Sequence, residues 1–113
     1  MPNFGSQLQN EQRIGKRKVL KVKALLTMEG RDTVLARTVD VGGEGVCLLV
    51  PHALQAGATG MVRFEIFHDG KVTPISARSR VQYCILSNGE YKTGFQFVSL
   101  ELSAMASLSR YLH

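Results

Sequence analysis

The sequence predicts a mainly β fold, a six-stranded antiparallel barrel followed by one C-terminal α-helix. Three observations carry this. Apolar residues alternate with polar ones in short runs along most of the chain, the period of half-buried strands. Asp69-Gly70 and Asn88-Gly89 stand between such runs, and these dipeptides favour the two-residue turns of β-hairpins. After Val98 the apolar spacing changes from two to three and four, the helical period.

The first strand is read over Lys18 to Met28, with Leu20, Val22, Ala24, Leu26 and Met28 on one face and Lys21, Lys23 and Thr27 on the other. Glu29 to Asp32 turns the chain. Thr33 to Val41 is rich in β-branched residues and reads as the second strand. Gly42-Gly43-Glu44-Gly45 is a tight connection whose three glycines would permit positive φ. Val46 to Val50 is a short buried strand, and Pro51 to Gly60 a loop. Met61 to His68 buries Val62, Phe64 and Ile66. Val72 to Ile85 is a long strand with Ile75, Ala77, Val81, Tyr83 and Ile85 on one face, and Pro74 near its start predicts an edge or a bend. Tyr91 to Val98 places Tyr91, Thr93, Phe95 and Phe97 on a common face. Ser99 is the expected cap of the helix, with Glu101 in its first turn. Leu102, Met105, Leu108 and Leu112, beside Tyr111, form the stripe expected to pack over one barrel opening.

The chain has 113 residues, the size of one domain. Residues 1–12 are rich in Asn and Gln and are expected to form a flexible N-terminal arm, with a single domain over 13–113. No secretory signal is apparent and no apolar run is long enough to cross a bilayer, so a cytoplasmic protein without membrane partners is expected. Cys47 and Cys84 are far apart, form no CxxC pair and read as small buried hydrophobes.

The net charge of +5 has one source. Arg13, Lys16, Arg17, Lys18, Lys21 and Lys23 face only Glu11 across residues 11–23, and the remainder balances. A neutral body with one basic strip points to a local anion site, though a solubilising lead-in has the same composition. His52, His68 and His113 have no metal-ligand spacing, so no metal site is expected. No nucleophile motif or Walker-type phosphate loop is present. An enzyme is therefore not expected.

Arg13 and Arg17 form an RxxxR just before the first strand, and Asp40-Val41-Gly42-Gly43-Glu44-Gly45 ends the second as a DxSxxG-like turn. With Tyr91 to Phe97, which looks like a G[VI]xF closing strand, the chain from about Arg13 to its end resembles the PilZ domain family. The resemblance implies a six-stranded PilZ-like barrel with a C-terminal helix. It also implies a receptor for cyclic di-GMP with no cofactor, signalling to an unidentified protein effector in trans. By resemblance Arg13, Arg17, Asp40, Gly42 and Gly45 are the ligand-binding residues, with Gln12, Lys16, Lys18, Gly43 and Arg80 as further candidates. The chemistry fits: guanidinium groups bind phosphate or a guanine edge bidentately and stack on bases, and Asp40 can accept from guanine N–H groups. Gly42 departs from the motif, which has serine there, and removes a hydroxyl. The alternative is a degenerate PilZ adaptor that binds no nucleotide and works by protein contact alone. A nucleic-acid-binding barrel ranks last, because such sites need exposed stacking aromatics. Arg78 lies on the polar face of the long strand. Tyr83 has the chemistry to stack on a base, but its phase is that of the core.

Overall fold

A computed structural model describes residues 16–113. The described chain forms β1 (Arg17–Val19), β2 (Lys23–Met28), β3 (Val34–Gly42), β4 (Gly45–Val50), β5 (Thr59–His68), β6 (Lys71–Ser87), β7 (Glu90–Leu100) and α1 (Leu102–Leu112). The strands run β1-β3-β2-β5-β6-β7-β4 across the sheet, all neighbours antiparallel, and an added β3–β4 pairing closes β2 to β7 into a six-stranded barrel. Closure removes most exposed sheet edges, which suits a small all-β chain. The predicted fold class is therefore the observed one.

Alternation builds the core. Ala24, Leu26 and Met28 of β2, Val62, Phe64 and Ile66 of β5, and Ile75, Ala77 and Val81 of β6 all point inward and are buried. Val46, Leu48 and Val50 of β4 join them with Phe95 of β7. Both predicted hairpin turns form with left-handed backbone at Asp69-Gly70 (φ 53° and 70°) and Asn88-Gly89 (φ 51° and 80°). Those angles match the right-handed twist of the flanking strands. Pro74 sits in the part of β6 that pairs with β5 alone, where its missing N–H costs no ladder bond.

Four expectations are corrected. The first predicted strand is two. Val19 pairs with Asp40 and Lys23 with Arg37, so three residues, Leu20 to Val22, face two on β3. The irregularity is pinned by buried Thr38, whose Oγ1 donates to the Leu20 carbonyl and accepts from the Val22 N–H at 2.9 Å. The connection at residues 42–45 uses no left-handed glycine: Gly42, Gly43 and Gly45 all lack positive φ. Ser99 does not cap the helix, because β7 continues to Leu100. Glu101 is the N-cap, extended at φ −60° and ψ 148°, and makes no side-chain capping bond. On α1, Leu108 and Tyr111 are buried whereas Leu102 and Met105 are 80% and 49% exposed. The helix packs against β5 and β6 through its second half. There the Tyr111 ring meets His68 edge-on at 6.2 Å.

Candidate functional site

The motif residues that the structure describes, Arg17, Asp40, Gly42 and Gly45, meet at a cleft of about 680 Å³ at the mouth between the β3–β4 hairpin and β7, within the roughly 300–1,000 Å³ of small-molecule sites. One wall is Arg17, Asp40 and the run Gly42 to Val46. The other is Gln82, Tyr83, Lys92, Gly94, Phe95 and Gln96.

Strand register explains the first wall. Arg17 lies directly opposite Gly42, and Asp40, paired with Val19, is two residues away on the same face. The bare Gly42 lets the Arg17 side chain lie along the ladder: a Cβ at 42 would stand 3.0 Å from Arg17 Nη1 and 3.2 Å from its Cγ. The guanidinium thereby donates from Nε (3.0 Å) and Nη2 (2.6 Å) to Asp40 Oδ1. Gly45 is required for another reason. It pairs with Gln96 where β4 and β7 approach so closely that a Cβ would fall 2.1 Å from the Phe95 carbonyl oxygen.

The second wall holds residues whose sequence phase points elsewhere. Alternation places Tyr83 inside. Between the pairs Val81–Phe95 and Tyr83–Gly94, Gln82 is an extra residue on β6. This bulge reverses the alternation, leaving Tyr83 41% and Ile85 56% exposed. The Tyr83 hydroxyl donates to Cys47 Sγ at 3.8 Å. Desolvation raises the Tyr83 phenol to about 12, helped by the Cys47 contact and the Asp40 charge. Cys47, buried behind the cleft, is likewise raised, chiefly by desolvation. Cys84 is only half-buried and accepts from Thr93 Oγ1 at 3.3 Å.

Of the other candidates, Gly43 lines the cleft, but Lys16, Lys18 and Arg80 do not. Lys16 faces a separate groove beside α1. Lys18, on the opposite face of β1 from Arg17, holds its ammonium 4.1 Å from the centre of the Tyr111 ring and donates to the Tyr111 carbonyl at 3.3 Å. Arg80 pairs in register with Gln96 but stays outside the lining. Arg78 is engaged by Glu29, whose carboxyl is lowered by a Thr59 hydrogen bond and by the Arg78 charge. Gln12 and Arg13 lie outside the described residues, as does the expected arm. Among the described residues, no group of three or more His, Cys, Asp or Glu side chains is placed to hold a metal ion. None of their helices is long and apolar enough to cross a membrane.

The fold and site define a small closed-barrel domain with a charged cleft at one mouth and a helix packed alongside. The chain belongs to the PilZ domain family, whose pattern its sequence matches over residues 7–113. The structure is similar to that of the Bacillus subtilis inhibitor of motility (MotI/DgrA), with a TM-score of 0.80 at 12% identity, covering 99% of this chain and 55% of the other. It is similar to Borreliella burgdorferi PlzA in complex with c-di-GMP, with a TM-score of 0.67 at 14% identity over 91% and 42% of the two chains. The PilZ domain of Escherichia coli YcgR with c-di-GMP gives 0.63 at 14% identity over 90% and 89%. The chain thus spans about half the length of the first two of these proteins. No curated protein sequence matches it.

Proposed function

We propose that this chain is a cyclic di-GMP receptor, without catalytic activity of its own, that acts in the cytoplasm and presents its ligand-bound face to a protein effector. The observation that carries the reading is the convergence of Arg17, Asp40, Gly42 and Gly45 on one cleft. Two PilZ-containing neighbours of the same fold hold c-di-GMP. A guanidinium fork suits a phosphate or the O6/N7 edge of guanine, and a carboxylate suits the guanine N1–H and N2–H groups. Arg13, by the family motif, supplies the second guanidinium. Isothermal titration of the full chain with cyclic di-GMP tests this. Saturable binding that Arg17→Ala and Arg13→Ala each weaken at least tenfold is expected. Equal heats in wild type and both variants, or none in any, reject it.

A second reading, a PilZ adaptor that binds no nucleotide and works by protein contact, is favoured by one feature. Gly42 replaces the motif serine, and the space so freed holds Arg17 against Asp40. Absence of saturable binding at low salt in the wild type, with binding gained by Gly42→Ser, selects this reading.

A further inference from the structure

Among the described residues, the cleft is lined by one large aromatic ring that the motif does not name. Inward residues on β6 run Ile75, Ala77, Ser79 and Val81, all buried. Unbroken alternation would carry Tyr83 into the same core, where a phenol needs a hydrogen-bond partner. The extra residue Gln82 turns Tyr83 outward instead. What it turns toward is the cleft, whose lining it joins.

The opposite strand is built to receive it. Gly94 is the register partner of Tyr83. A Cβ at Gly94 would lie 2.2 Å from Tyr83 Cε2 and 2.6 Å from Cζ. The ring therefore rests on the bare backbone of β7, in space that any other residue at 94 would fill. Its hydroxyl is tied to Cys47 Sγ at 3.8 Å. Backbone contact and that tether fix the ring, yet 41% of the residue stays exposed. An aromatic surface held rigid and left open to water is a stacking face available without an ordering cost.

The rest of the cleft is complementary. Arg17, Asp40, Gln82, Lys92 and Gln96 offer charges and hydrogen bonds, which read phosphates and base edges. Phe95 also lines the cleft, but only 2% of it is accessible. Among the described residues, the exposed aromatic side chain of the cleft is that of Tyr83. Tyr83 and the Arg17–Asp40 ion pair line the same cleft. We propose that Tyr83 is the base-stacking platform of the cleft, holding one guanine of the ligand while Arg17 and Asp40 engage its charged and edge groups. The proposal rests on the cyclic di-GMP reading above and assigns it a residue outside both motifs.

The test uses the full chain and cyclic di-GMP, with titration heats and proton NMR of the guanine H8 resonances. Wild type, Tyr83→Phe, Tyr83→Leu and Arg17→Ala are compared. Tyr83→Leu keeps apolar bulk over Gly94, so the fold is retained while the π-face is lost. Stacking moves H8 upfield through the ring current. Wild type and Tyr83→Phe are expected to show that shift and similar affinity. Tyr83→Leu is expected to lose the shift and bind roughly 10- to 100-fold more weakly, the range that removing a base–aromatic stack gives. Tight, Arg17-dependent binding with an unchanged H8 shift in Tyr83→Leu overturns the platform and leaves the receptor reading standing. No binding by wild type overturns the receptor reading itself.

Discussion

Arg17 and Asp40 are joined by two hydrogen bonds that converge on a single carboxylate oxygen, Nε at 3.0 Å and Nη2 at 2.6 Å from Oδ1. The side chains remain 48% and 32% exposed. A pair so open to solvent contributes little to folding, about 0–1 kcal/mol. It does keep the guanidinium extended across the cleft mouth. Asp40→Asn is therefore expected to leave urea unfolding within about 1 kcal/mol of wild type. The same substitution is expected to weaken cyclic di-GMP binding at least tenfold, because a charge-assisted acceptor is worth about 1.5–3 kcal/mol. Parallel denaturation and titration separate the two effects.

Gly42→Ser restores the motif residue at a position that is already crowded. The new Cβ would stand 3.0 Å from Arg17 Nη1 and 3.2 Å from the Lys16 carbonyl oxygen. The guanidinium is the far end of a flexible side chain and yields first. The expected result is a weakened Arg17–Asp40 pair, a stability change below about 1 kcal/mol, and tighter cyclic di-GMP binding. Both freed charges and a new hydroxyl donor then face the ligand. Titration of wild type and variant under one salt condition measures the difference, and a lower affinity in the variant would refute this account of Gly42.

Most of the barrel was legible because alternation in β2 and β5 is unbroken and Asp69-Gly70 and Asn88-Gly89 admit one kind of turn. The near wall of the cleft was legible too, since Asp40, Gly42 and Gly45 sit together in sequence. What escaped was set by pairing between distant strands. The irregularity at Leu20 to Val22 depends on Thr38, and the reversal at Tyr83 depends on Gln82 having no partner on β7. Neither has a local signature. Gln82, Lys92 and Gln96 look like ordinary outward strand residues until barrel closure sets them opposite Asp40. Ser99 has the chemistry of a helix cap, but its backbone is still paired with Arg78 in the β6–β7 ladder.

Gly45→Ala tests whether the last motif glycine is structural. Its φ is not left-handed, so the penalty is contact alone. The obstacle is the Phe95 carbonyl, 2.1 Å from the added Cβ, and backbone within a closed barrel cannot step aside cheaply. Overpacking of this kind costs typically about 1–3 kcal/mol. A fall in Tm of roughly 4–8 °C per kcal/mol is expected by circular dichroism. A Tm within about 1 °C of wild type would mean that the β4–β7 contact relaxes freely.

The Tyr83 phenol makes stability depend on alkaline pH, with a definite sign. Desolvation raises it from 10.0 to about 12 in the folded chain. Between those values the folded state holds a proton that the unfolded state has released, so stability must fall as pH rises. The contribution is fully present below pH 10 and lost through about pH 12. Cys47 is also raised by burial and adds a slope of the same sign to both proteins, so the difference between Tyr83 and Tyr83→Phe isolates the phenol. Urea midpoints at pH 9, 10 and 11 are expected to fall more steeply with Tyr83 than with Tyr83→Phe, the two lines separating only above pH 10. Parallel lines would show that the ring is solvated as in the unfolded chain, contrary to its position against Gly94.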